Sequence, residues 1–228
     1  MGIYVIVGVF MLISWLVSMR LKSKFNEYSQ VTFRGNLSGA EIAMKMLRDN
    51  GIDDVKVMSV EGQLTDHYNP TEKTVNLSPE VYNGRSVAAA AVAAHECGHA
   101  VQHAKAYTWL GLRSKLVPTV SFASRWTQFI LLGGIVLAMF APVVGIAIVV
   151  VGLSLFALTT LFSFITLPVE FDASNRGLAW LNESGMVSSQ EHEMAKDALW
   201  WAAMTYVVAA LSSLAMLLYY ISLFLRRR

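Results

Sequence analysis

Phe129 to Leu167 reads FILLGGIVLAMFAPVVGIAIVVVGLSLFALTTLFSFITL, 39 residues without one charged side chain. A helix rising about 1.5 Å per residue crosses the hydrocarbon of a bilayer in about 20 residues. The run is nearly twice what one crossing needs. Ala141-Pro142 and Gly145 interrupt it near the middle, and a proline opens a helix far more readily than it continues one. The stretch therefore predicts two membrane helices joined by a tight hairpin. The first reaches back past Arg125 towards Val117, and the second runs from about Val143 to Leu167.

Two further apolar blocks flank this centre. Ile3 to Met19 is broken only by Ser14 and Ser18 and ends at Arg20, Lys22 and Lys24. A cleavable signal would carry its charges before the apolar stretch, so this one reads as a retained anchor. Leu199 to Leu225 is closed by Arg226, Arg227 and Arg228, which can snorkel to the interface. Composition agrees with such a reading: 55% of the 228 residues are hydrophobic and 15% charged, against about 25% charged in ordinary soluble domains. The mean hydropathy is +0.48. A large soluble enzyme and a disordered tail are excluded. So is a nucleic-acid binder, because the net charge is +2 and no basic run exceeds the last three residues. The single cysteine, Cys97, cannot form an intramolecular disulfide.

Polar sequence lies mostly between Phe25 and Ser114, with a second piece after Pro168. Ser38 with Glu41 has the form of a capping box for a helix over Ala40 to Asn50, stopped by Gly51. Val55 to Val60, Gln63 to Tyr68 and Thr74 to Leu77 are strand-like and predict a small sheet. Ser86 caps an alanine-rich helix through about Ala104, and Ser188 with Glu191 forms another box. The expected organisation is an anchor at 3–19, an α+β domain at 25–114, a membrane hairpin at 117–167, a helical segment at 168–198 and a last span at 199–225. The fold class is a mainly α membrane protein with about four transmembrane helices.

The alanine-rich helix contains His95-Glu96-Cys97-Gly98-His99, an H-E-x-x-H pattern. Residues four apart share a helix face, so both imidazoles can bind one zinc ion while Glu96, one position along, orients a water and takes its proton. A catalytic zinc needs a third protein ligand. His103 continues the spacing of four, but ligands at i, i+4 and i+8 span about 12 Å of straight helix, too far for one ion. Glu170 is the stronger candidate. It follows directly on the uncharged block and opens the helix-like run Glu170 to Arg176, with Asp172 as the alternative. His67 and Tyr68 are candidates to polarise a substrate carbonyl or donate to an oxyanion. Arg176 is a candidate to stabilise the tetrahedral intermediate or to position Glu170. Cys97 faces away from the ligands and reads as core filling, and His192 as part of a solvated helix face.

Ala93 to Ala100, the later Glu170 and Asn76-Leu77-Ser78-Pro79 resemble the gluzincin metallopeptidases. The stretches Asp66-His67-Tyr68-Asn69-Pro70, Leu77 to Tyr82 and Gly84-Arg85-Ser86 carry a closer resemblance to the YugP-type bacterial membrane zinc metallopeptidases, over almost the whole chain. The resemblance implies His95, His99 and Glu170 as zinc ligands and Glu96 as general base. Related membrane gluzincins usually place an aspartate four residues after the glutamate ligand, where this chain has Ser174. Asp172 and Asn175 are then the candidates to back a histidine ligand.

For His95, His99 and Glu170 to meet, the chain must cross the membrane an even number of times between them. Two helices satisfy this. Fifteen of the 18 Lys and Arg residues then lie on or beside the catalytic side, leaving Arg226 to Arg228 opposite. The positive-inside rule favours a cytoplasmic catalytic side in a bacterial inner membrane. The expected function is a zinc-dependent endopeptidase acting on membrane or membrane-proximal polypeptides. Two alternatives are an intramembrane site-2-type protease and a catalytically silent, zinc-containing scaffold or chaperone partner. Arg85, Glu96, Gln102 and Lys105 leave the zinc helix no uninterrupted span, and a purely structural site has no use for Glu96.

Overall fold

A computed structural model describes residues 2–62 and 65–226. The expected strand start at Gln63-Leu64 and the expected snorkelling of Arg226, Arg227 and Arg228 lie outside the described residues and side chains. Among the described residues seven helices and three strands follow in the order α1 (Gly2–Ser29), α2 (Gly39–Asp49), β1 (Lys56–Ser59), β2 (His67–Asn69), β3 (Thr74–Leu77), α3 (Pro79–Asn83), α4 (Val87–Ala104), α5 (Thr108–Leu137), α6 (Pro142–Glu183) and α7 (Ser189–Arg226). Four helices among the described residues, α1, α5, α6 and α7, are long and apolar enough to cross a membrane. The chain is a mainly α membrane protein with a small sheet.

The chain divides into two compact units. One comprises Met1–Ser14, Gly111–Leu167 and Tyr206–Arg228; the other comprises Trp15–Leu110 and Pro168–Thr205.

In the first unit the hairpin forms where the sequence interrupts itself. Ala138 to Ala141 make the turn, and Pro142 sits at the first position of α6, where its missing N–H costs nothing. The helices meet at glycines. A Cβ on Gly145 would lie 2.2 Å from the backbone nitrogen of Ala138, and one on Gly134 would lie 2.9 Å from that of Val149. Small residues allow this approach, which replaces hydrophobic driving force with close packing in lipid. Thr160 and Ser213 add a hydrogen bond between α6 and α7 at 2.7 Å.

Two boundaries differ from the sequence reading. Helix α5 begins at Thr108 rather than near Val117, because a helix start is set by backbone geometry and not by where the side chains become apolar. Helix α6 continues through Pro168 to Glu183. A proline removes one backbone donor and strains one turn, which flanking turns can absorb. Glu170 is therefore interior to a long helix and does not open one.

In the second unit the sheet order is β1-β3-β2, with β1 parallel and β2 antiparallel to β3. Central β3 is buried along its length, so Val75 and Leu77 on one side and Thr74 and Asn76 on the other all face protein. Helix α2 carries the expected capping box: Ser38 Oγ accepts from Glu41 N, and Glu41 Oε2 accepts from Ser38 N. It ends at Gly51, whose φ of +69° a glycine adopts without strain. Ser188 and Glu191 form the second box, and the other carboxylate oxygen of Glu191 accepts from the backbone of Arg34 at 2.6 Å. The core gathers Phe33, Ile42, Met46, Leu77, Val81 and Leu181 around the alanine face of α4. Cys97 belongs to that core, fully buried, and burial pushes its thiol pKa well up.

Candidate metal centre

Ser86 starts α4 by accepting a hydrogen bond from Ala89 N. Short side chains then let α6 approach it closely. A Cβ on Gly98 would meet the carbonyl oxygen of Ala173 at 2.3 Å, and one on Gly177 would meet that of Ala94 at 2.8 Å. Ala94 and Gly98 on α4 thus face Ala173 and Gly177 on α6, each pair four residues apart, at a separation that excludes side chains larger than these. This contact brings Glu170 of α6 over the histidine face of α4.

His95 Nε2 lies 3.4 Å and His99 Nε2 3.6 Å from Glu170 Oε2. The ligand atoms of all three residues lie within 4.8 Å of one another. Donors each about 2 Å from a tetrahedral ion are about 3.3 Å apart, so two imidazole nitrogens and a carboxylate at these separations fit zinc. The imidazoles meet edge to face, with ring centroids 4.8 Å apart. Glu170 and His99 are buried, and His95 is partly so.

Each histidine is backed through its other nitrogen, which turns Nε2 towards the carboxylate. His95 Nδ1 is hydrogen-bonded to Ser174 Oγ at 3.0 Å, and His99 Nδ1 to Gln102 Oε1 at 3.0 Å. Burial opposes protonation of His99, but Glu170 and Glu96 outweigh it and hold its pKa above the ordinary value. Glu96 is 8% exposed, and its carboxylate makes no hydrogen bond or ion pair to another described residue. It is thus available to take a proton.

The remaining candidates have the following partners. His67, on edge strand β2, uses both ring nitrogens locally: Nδ1 lies 2.7 Å from the carbonyl of Thr65 and Nε2 lies 3.2 Å from Asn76 Nδ2. Arg176 donates from Nε and Nη2 to Asp172 at 2.6 and 3.3 Å and lies over the ring of Tyr107. His103 is hydrogen-bonded to Tyr68 at 2.8 Å and does not join the cluster. Asp172 is likewise no member of it. Nor does Asp172 or Asn175 bond a histidine of the cluster. Ser174, at the position where related membrane gluzincins usually carry an aspartate, bonds His95 itself. Gln102 is read from the sequence only as a polar break in the helix, not as a partner of His99. Its one signal is its place three residues after His99, on the same helix face.

Over residues 3–225 the chain matches the family model described as "Putative neutral zinc metallopeptidase", and it belongs to that family. It is 42% identical to "Putative membrane protease YugP" of Bacillus subtilis (strain 168), over 216 residues that make up 95% of this chain and 93% of that protein. No solved structure matches the chain.

Proposed function

We propose that the protein is a zinc-dependent endopeptidase of the gluzincin type that hydrolyses membrane or membrane-proximal polypeptides. The observation carrying this reading is the convergence of His95 Nε2, His99 Nε2 and the Glu170 carboxylate on one point, with Glu96 beside them on α4. These three residues would hold the ion, as three protein ligands do in catalytic zinc sites. Zinc held there supplies Lewis acidity, which polarises a scissile carbonyl and acidifies water.

The protein's own part is proton traffic and orientation. Glu96 accepts a proton from the attacking water as its oxygen bonds to the peptide carbon. It returns that proton to the amine nitrogen as the carbon–nitrogen bond breaks, so the products are one carboxylate and one amine. Ser174 and Gln102 keep the two imidazoles aimed throughout. The catalytic side is cytoplasmic in a bacterial inner membrane, following the charge distribution in the sequence. The polypeptide substrate and the bilayer are its partners, and a substrate already in the membrane reaches the site without diffusing from bulk solution.

Full-length protein in detergent tests this reading, with wild type and Glu96→Gln compared for zinc content and for cleavage of one reporter sequence, free or tethered to a membrane helix. The expected result is equal zinc in both, at least about 100-fold less cleavage by the variant, and preference for the tethered reporter. Near-normal hydrolysis by Glu96→Gln removes the base. Zinc retention by wild type with no cleavage of either reporter favours the silent scaffold.

A further inference from the structure

Gln102 is fully buried, and all the polar atoms of its amide are engaged. Nε2 donates to the carbonyl of Val169 at 2.8 Å and to Asp172 Oδ2 at 2.8 Å, while Oε1 lies 3.0 Å from His99 Nδ1. A carboxamide carries both its donor hydrogens on nitrogen. The Val169 carbonyl can only accept. Asp172, which receives Arg176 Nε and Nη2, is held as an acceptor too. Turning the amide round would press Oε1 against two acceptor oxygens, so Oε1 must face His99. An acceptor there requires that Nδ1 carry the proton.

A proton is thereby kept on His99 Nδ1, which leaves Nε2, the atom 3.6 Å from Glu170, as the nitrogen that can bind an ion. The partner of His95 imposes no such choice, because a serine hydroxyl donates or accepts equally well. We propose that Gln102 is the positioning residue that selects the metal-binding nitrogen of His99, with Val169 and Asp172 fixing the sense of its amide. The proposal rests on the zinc reading of the site.

Removing the amide leaves Nδ1–H buried without an acceptor. The ring then turns or moves its proton to Nε2, where it blocks the ion. Outer partners of this kind change metal affinity by about 10- to 100-fold.

The test uses full-length protein in detergent. In zinc-loaded wild type, long-range proton–nitrogen correlation on nitrogen-15 histidine should show His99 protonated at Nδ1 with Nε2 as the metal-bound nitrogen, its resonance assigned by its loss in His99→Gln. An Nε2–H pattern overturns the proposal without any change at Gln102. Zinc affinity, measured by competition with a chromophoric chelator, should fall about 10- to 100-fold in a Gln102→Leu variant that still unfolds cooperatively without metal. Unchanged affinity in a folded Gln102→Leu overturns the proposal and leaves the zinc reading standing. Absence of His99-dependent zinc binding in wild type overturns both.

Discussion

Gly98 is pressed against the carbonyl oxygen of Ala173, so closely that a Cβ would come within 2.3 Å of it. The glycine lies inside the H-E-x-x-H segment, and the carbonyl lies on the helix that brings Glu170. The spacing of the two helices, and with it the distance from imidazoles to carboxylate, is set at this contact. A backbone oxygen cannot rotate away as a side chain can. Gly98→Ala should therefore push α4 from α6, lowering stability by about 1–3 kcal/mol as overpacking does and weakening zinc binding. Gly111→Ala in α5 is the control, since nothing lies within 4 Å of a Cβ there, and replacing a helical glycine gains up to about 1 kcal/mol. Thermal unfolding of both variants checks this. Equal stability of Gly98→Ala and wild type would show that the two helices can part at no cost.

The third ligand is tested by a pair of substitutions. Glu170→Ala should lower zinc occupancy, because two imidazoles alone hold the ion weakly. His103→Ala should not, because His103 is occupied with Tyr68 outside the cluster. Metal analysis of the two purified variants reads the answer, and the reverse pattern would sink the gluzincin assignment.

Much of this site was legible in the sequence because its first elements are local. A histidine pair four apart, two capping boxes and a charge-free run each express a periodicity or a length, and neighbouring residues suffice to read them. The partners of the histidines were another matter. Ser174 and Gln102 acquire their roles through contacts that span 79 and 3 residues, and Gln102 is held in turn by Val169 and Asp172, 67 and 70 residues away. No spacing rule encodes the pairings 67 to 79 residues apart, and the helical spacing of Gln102 from His99 does not say which way its amide turns. The continuation of α6 past Leu167 was hidden by Pro168, a residue that usually marks a boundary and here costs only one turn.

Ser174 supplies a sharper test of that kind of pairing. Its hydroxyl is the partner of His95 Nδ1, so Ser174→Ala should weaken zinc binding about 10-fold or more. Asn175→Ala should leave it unchanged, since Asn175 is exposed and bonds neither histidine. Titration with zinc against a competing chelator distinguishes the two. Equal affinities would mean that packing alone aims His95.

The last prediction concerns sidedness. Helix α6 has 42 residues, twice the roughly 20 that cross the hydrocarbon of a bilayer. Its uncharged part ends at Leu167, and Glu170 follows one turn later, so a carboxylate that would be costly in lipid comes where the helix can leave it. Between the histidines on α4 and this glutamate the chain crosses twice, through α5 and α6, and must return to the side it left. Cysteines introduced at the exposed positions Glu72 and Glu183 should therefore react with an impermeant thiol reagent from one face of the membrane. A cysteine at Met139, 76% exposed beside the hairpin turn, should react from the other. The native Cys97 is buried and contributes little background. In intact cells only the Met139 position should label, placing the zinc residues in the cytoplasm. Labelling of the Glu72 and Glu183 positions alone would reverse the orientation and leave the shared zinc intact. Labelling of Glu72 and Glu183 from opposite faces would separate His95 and His99 from Glu170 by a bilayer, and no common ion could then be held.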